Sequence, residues 1–107
     1  MTDKELLELA AKAAGIELTQ GYGEPAWRCM FYQDENYECF YWNPIDDDGD
    51  ALRLAVKLEM ELDFSDDETS ATKELRVRAV EYHEGDPYAA TRRAIVRAAA
   101  EIGRSMK

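Results

Sequence analysis

Three aspartates at alternate positions are the first feature of this sequence that could do chemistry. Asp46, Asp48 and Asp50 fall at the first, third and fifth positions of an EF-hand loop, whose carboxylates coordinate Ca²⁺. The rest of the motif is absent, because Ala51 stands where that loop needs glycine and Lys57 where it needs a bidentate glutamate. Acids at a helix start explain the run better. We therefore predict no metal site, and we take Asp48 as a helix N-cap.

The segment around this acidic run has the residue types of a recognition edge. Its candidate binding residues are Trp42, Asn43, Asp47, Asp48, Asp50 and Arg53. The alternative is structural: the Trp42 ring packs in the core, and the Asn43 side chain fastens the turn before Pro44. The sequence leaves both interpretations open.

His83 is the only histidine, and it could serve as a general base if a carboxylate oriented it. Glu84 and Asp86 are close enough in sequence to orient it, but no serine lies in a GxSxG elbow and neither cysteine has a catalytic signature. We predict that His83 is a surface or turn histidine, and we predict no catalytic residues. No cofactor is predicted either, since no glycine-rich phosphate loop is present.

The two cysteines, Cys29 and Cys39, lie in apolar segments without the CxxC spacing of a zinc site. We predict two buried thiols rather than a disulfide, because nothing in the sequence indicates an oxidising compartment.

Three arginines near the end of the chain, Arg92, Arg93 and Arg97, could contact an anion such as a phosphate from one helix. The formal net charge of the chain is -10, however, which disfavours a polyanionic ligand. Ion pairs with the chain's own acids, or contacts with an acidic protein, explain these arginines better.

Three helices must position these residues. Thr2 and Glu5 form a capping box for the first helix, which Gly15 ends. A second helix over 51–60 is apolar around most of its circumference, which predicts that it is largely buried. Asp86 before Pro87 begins the last helix. Its predicted buried seam is Tyr88, Thr91, Ile95, Ala98, Ile102 and Met106.

Four strands are predicted between the helices. The segments 27–33 and 37–42 form an antiparallel hairpin with its turn centred on Glu35, and 61–64 pairs with 74–82 across a polar loop at 65–72. Both faces of the first hairpin are apolar, which favours helices on both sides of the sheet. The prediction is an α+β fold, a three-layer α/β/α sandwich. It contains a short, mainly antiparallel four-stranded sheet in the order α-β-β-α-β-β-α.

A length of 107 residues predicts one domain over 1–107. With 46% hydrophobic and 34% charged residues, the chain has too many apolar side chains for a disordered protein. No apolar run reaches the ~20 residues of a membrane helix, and the acidic start lacks the basic head of a signal peptide. We expect a cytoplasmic protein. Residues 1–70 carry 18 acidic and 5 basic side chains, net -13, whereas residues 71–107 carry 5 and 8, net +3. The first two-thirds of the chain should therefore favour basic partner surfaces.

Two longer segments resemble a known family. The residues of 42–44 with 47–58, and those of 90–103, are similar to the phage ABA sandwich domain family, as is the opening helix. Members are small proteins of phages and prophages without an established biochemical role. The resemblance implies α/β/α layering and an infected or lysogenic bacterial cell as the setting, and it supplies no catalytic residues.

Together these features favour a phage or prophage accessory protein that binds a host or phage protein with a basic patch, for example as an inhibitor of a defence protein. A small-ligand-binding domain or minor enzyme centred on 42–53 is the first alternative. Nucleic-acid binding through the C-terminal arginines is the second. A homodimer through exposed aromatic residues also stays open.

Overall fold

The computed structural model describes residues 1–20, 30–33 and 35–106. These residues form three helices: α1 (Asp3–Ala14), α2 (Asp48–Lys57) and α3 (Pro87–Arg104). Sheet A is antiparallel and contains β1 (Thr19–Gln20), β2 (Met30–Gln33) and β3 (Cys39–Tyr41). Sheet B is antiparallel and contains β4 (Glu61–Phe64), β5 (Glu68–Lys73) and β6 (Val77–Tyr82). The predicted α+β class is confirmed.

The caps of α1 and α3 are those that the sequence predicts. The Thr2 hydroxyl accepts a hydrogen bond from the Glu5 backbone N–H at 3.1 Å, and Gly15 ends α1 with φ of 72°. The Asp86 carboxylate accepts from the Ala89 N–H at 3.1 Å, and Pro87 is the first residue of α3. Both helices therefore begin where their side chains satisfy free backbone donors.

Replacing Gly15 by alanine should lower the free energy of unfolding by about 1 kcal/mol, because a Cβ is strained at this positive φ. No atom lies within 4 Å of the added Cβ, so the cost is conformational rather than steric. Urea unfolding of Gly15→Ala measures it. Gly15→Asn should cost less, since asparagine tolerates the left-handed region; equal losses would contradict this reason.

Helix α2 differs from the prediction in its cap and in its burial. Asp47, not Asp48, is the N-cap: its carboxylate accepts from the Asp50 N–H at 2.8 Å. The helix is also not largely buried, because Leu52 and Val56 are exposed. Its buried residues are two alanines and one leucine, namely Ala51, Leu54 and Ala55.

The described residues form two three-stranded sheets where the sequence predicts a single four-stranded sheet. Sheet B contains a strand that the prediction missed. The segment taken as a polar loop forms β5, which pairs with β4 through Leu62 and Ala71 and with β6 through Ala71 and Ala79. Thr69 and Ser70 are buried in this central strand. Because these two residues are polar, the hydrophobic pattern did not indicate a strand. A tight turn joins β4 to β5, and in it the Ser65 N–H donates to the Glu68 carbonyl at 2.9 Å.

Sheet A keeps the predicted face assignments. Phe31 pairs with Tyr41 and Tyr32 with Phe40, so each aromatic pair shares a face, but the turn centres on Asn36 rather than Glu35. The prediction that both hairpin faces are covered is wrong for β3, all of whose residues are exposed. Cys39 is accordingly an exposed free thiol, contrary to prediction, and Cys29 lies outside the described residues.

Helix α3 lies at the centre of the packing. It contacts α1, α2, β5 and β6, and its buried residues occur all around the helix: Ala90, Ala94, Ile95, Val96, Ala98, Ala99, Ala100 and Gly103. The predicted seam is wrong at its two ends, because Tyr88 and Met106 are exposed. Most of the buried residues of α3 are alanines, and their small side chains let neighbouring elements approach from several directions.

Candidate functional site

Trp42 and Asn43, the first two candidate binding residues, have structural contacts in the turn before α2. The Trp42 side chain is only 4% exposed and belongs to the core. The Asn43 side-chain oxygen accepts from the N–H groups of Ile45 and Asp46 at 3.2 Å each, and its amide donates to the Asp46 carboxylate at 3.1 Å. The structure therefore places the Trp42 ring in the core and the Asn43 side chain in the turn, as the structural interpretation predicts.

The remaining polar groups of this loop also bond within the chain. The Asp50 carboxylate accepts from the Asn43 N–H at 2.9 Å and from the Arg53 guanidinium at 2.8 Å. Its hydrogen bond raises the pKa of Arg53 above the ordinary value, and Asp47 adds charge attraction. The structure thus brings Asn43, Asp47, Asp50 and Arg53 together as a network that fixes the start of α2.

Arg92 connects this loop to α3. Its Nε donates to the Ile45 carbonyl at 2.7 Å, and a terminal nitrogen donates to the Asp48 carboxylate at 2.6 Å. The Arg92 side chain is mostly buried, so its donors are directed to the chain itself rather than to solvent. Asp48 acts as the partner of this arginine, which anchors the turn onto the central helix.

The other two candidate anion contacts are also paired. The Arg93 guanidinium donates to the Asp3 carboxylate at 3.0 Å. Arg97 donates to the Val80 carbonyl at 2.9 Å and forms an ion pair with Glu81. The prediction that these arginines pair with the chain's own acids is confirmed.

His83 connects sheet B to α3. Its Nε2 lies 2.8 Å from the Thr69 hydroxyl, which lies 3.1 Å from the Thr91 hydroxyl. Thr69 is fully buried, so a substrate cannot reach the hydroxyl that His83 contacts. Among the described residues no group of three His, Cys, Asp or Glu side chains is arranged to hold a metal ion.

An apolar groove lies between α2, β4 and the first turns of α3. Its volume is 470 Å³. Three large apolar side chains that line it are well exposed: Leu52 at 59%, Phe64 at 61% and Tyr88 at 70%. We call this feature the α2–β4 groove; its lining is Asp48, Ala51, Leu52, Leu62, Phe64, Pro87, Tyr88, Thr91, Arg92 and Ile95.

Acidic residues stand at the margins of the α2–β4 groove. Asp47 and Asp86 are exposed, and each adjoins a lining residue in the sequence, whereas the exposed Asp63 lies on the face of β4 that is turned away from the groove. Inside the groove, Asp48 and Arg92 neutralise each other. The groove therefore combines an apolar floor with a negative margin.

Sequence reasoning identified Asp48 and Arg92, but not the apolar residues that make the groove. A signal for it was present in α2, where one face carries Ala51 and Ala55 and another carries Leu52 and Val56. Alanine suits a face packed closely against another helix, which leaves the larger side chains outside. Phe64 and Tyr88 gave no such signal, because strand periodicity and helix periodicity each placed them inside.

Comparisons of the chain with protein-family models, curated proteins and solved structures found no match. The resemblance to the phage ABA sandwich domain family accordingly stays a prediction. None of the helices in the described part of the chain has the length and apolar character needed to cross a membrane.

Proposed function

We propose that this chain is a phage or prophage accessory protein that acts without catalysis, by binding a host or phage protein through the α2–β4 groove. The partner presents apolar side chains flanked by lysine or arginine. The observation that carries the proposal is the convergence of Leu52, Phe64 and Tyr88, all exposed, on one groove with an acidic margin.

The apolar part of the groove supports a protein ligand. A fixed cluster of leucine, phenylalanine and tyrosine at the surface is costly in water and is typical of interaction sites. Burying such side chains contributes about 25 cal/mol per Å² of apolar surface removed from water. A few anchors in a pocket commonly dominate the affinity of a protein interface.

The charge distribution supports a basic partner. Arg92, Arg93 and Arg97 are paired with acids, so they offer little free positive potential at the surface. Asp47 is paired with Arg53, but the exposed Asp63 and Asp86 form no ion pair with any described residue, so their negative charge is available to a partner. Such negative charge speeds association with a basic surface and discriminates against acidic ones.

The two alternative functions receive less support. The polar groups of 42–53 bond mainly to one another and to α3, which favours a structural role over ligand recognition. The paired arginines likewise weaken the case for nucleic-acid binding, because phosphate contacts would have to displace existing carboxylate partners.

The proposal predicts that removing the apolar anchors weakens binding strongly while the fold persists. The unmodified chain, when immobilised, should capture a partner protein from bacterial lysate. The immobilised double variant Leu52→Ser/Phe64→Ser should capture at least about tenfold less of that protein. Leu75→Ser is the matched control, since Leu75 is 98% exposed but lies outside the groove.

Circular dichroism should show the same fold for all three proteins. Equal capture by the double variant, or capture lost equally in Leu75→Ser, would contradict the proposed function. So would the absence of any captured protein at low and moderate salt.

A further inference from the structure

We propose that the partner enters the α2–β4 groove as an extended strand that pairs with the free edge of β4, and that its residues alternate between apolar and basic side chains. This inference rests on the proposed function and specifies the partner's conformation and sequence pattern. It follows from the position of β4 in sheet B.

β4 is an edge strand. Within the described residues it pairs with β5 on one side, and the sheet order is β4-β5-β6. Glu61, Asp63 and Phe64 are exposed, which is the burial expected of an edge without a neighbour. An edge of this kind presents unpaired backbone N–H and C=O groups to an incoming strand.

The two faces of β4 differ in chemistry. Leu62 and Phe64 point to the face that carries α3, and both line the groove. Glu61 and Asp63 alternate with them and point to the opposite face. Neither acid forms an ion pair or a hydrogen bond through its side chain with any described residue, so both are free to interact with a partner.

A strand beside β4 would meet these two faces alternately. Its side chains on the groove face would pack against Leu62, Phe64 and Leu52, and those on the other face would lie beside Glu61 and Asp63. Apolar residues fit the first set, and lysine or arginine fits the second. α2 packs chiefly on α3 and β4 chiefly on β5, so the space between α2 and β4 is where the groove-facing side chains enter.

The same geometry disfavours a second copy of this chain as the occupant. Two β4 strands paired with each other would place glutamate and aspartate side by side on one face, and opposed like charges destabilise a strand pair. A basic, apolar strand meets no such repulsion.

The test uses two labelled peptides of the same composition, each about nine residues of Lys and Leu. One alternates Lys and Leu, and the other places Leu at the helical spacing of three and four. Fluorescence polarisation with the full chain should give a Kd at least about tenfold lower for the alternating peptide. Because both peptides carry equal charge, general attraction to an acidic protein cancels.

The charge-reversed variant Glu61→Lys/Asp63→Lys should weaken binding of the alternating peptide by about tenfold and should bind an alternating Glu/Leu peptide better than the unmodified chain does. The control Glu17→Lys/Glu35→Lys changes the net charge equally at exposed residues outside sheet B and should have little effect.

Preference for the helical isomer would overturn the strand inference and leave the groove as a protein site. Equal loss in both charge variants, or dimerisation that Phe64→Ser abolishes, would overturn it too. If neither peptide binds, the strand inference fails, and the lysate capture by Leu52→Ser/Phe64→Ser decides the proposed function separately.

Discussion

Gly103→Ala should lower the free energy of unfolding by about 3 kcal/mol, at the upper end of the cost of overpacking. A Cβ at Gly103 would lie 2.8 Å from the Leu9 carbonyl carbon and still closer to its oxygen. These are backbone atoms of α1, so no side-chain rotation relieves the contact, and α1 and α3 must separate. The loss exceeds the gain of about 1 kcal/mol in helix propensity.

Thermal unfolding followed by circular dichroism measures this effect, and the melting temperature should fall by roughly 15 °C. Gly49→Ala is the matched control within α2. Its added Cβ would most closely meet the ends of two exposed side chains, the Arg53 guanidinium at 3.1 Å and the Asp47 carboxylate at 3.2 Å, which can shift by a few tenths of an ångström. A Gly103→Ala protein as stable as Gly49→Ala would show that α1 and α3 are not held in close contact.

Trp42→Ala should lower the free energy of unfolding by about 3 to 5 kcal/mol, because it removes a large buried ring and leaves a cavity. Urea unfolding followed by far-ultraviolet circular dichroism measures the change. Tyr41→Ala is the control: Tyr41 adjoins Trp42 in sequence but is 75% exposed, so its loss should be small.

This comparison also separates the two interpretations of Trp42. A scaffold residue gives a large loss of stability, whereas a recognition residue gives a small loss of stability and a large loss of binding. Similar stabilities of Trp42→Ala and Tyr41→Ala would contradict the place of Trp42 in the core.

Local sequence signals predicted the helices well, because capping depends on neighbouring residues. Thr2, Gly15, Asp86 and Pro87 act as their types and spacing indicate. The hairpin faces also followed from strand alternation. Sheet B was harder, since Thr69 and Ser70 are polar residues buried in a central strand, where tertiary packing overrides the hydrophobic pattern.

The candidate site also has a part that the sequence predicted and a part that it did not. The arginine ion pairs were predictable from the excess of acids, but the identity of each partner was not, since Asp48 and Arg92 are far apart in sequence. The groove depends on how α2, β4 and α3 meet. Its exposed residues Leu52, Phe64 and Tyr88 have the residue types of a core, so composition alone assigns them inside.

A photo-crosslinking measurement tests the central claim most directly. p-Benzoylphenylalanine replaces Tyr88, at the α2–β4 groove, or Tyr37, which is at least as accessible but lies outside the groove. We predict that irradiation in bacterial lysate gives a discrete crosslinked protein from position 88 and none from position 37. Crosslinks from position 37 alone, or from neither position, would contradict the groove as the binding surface.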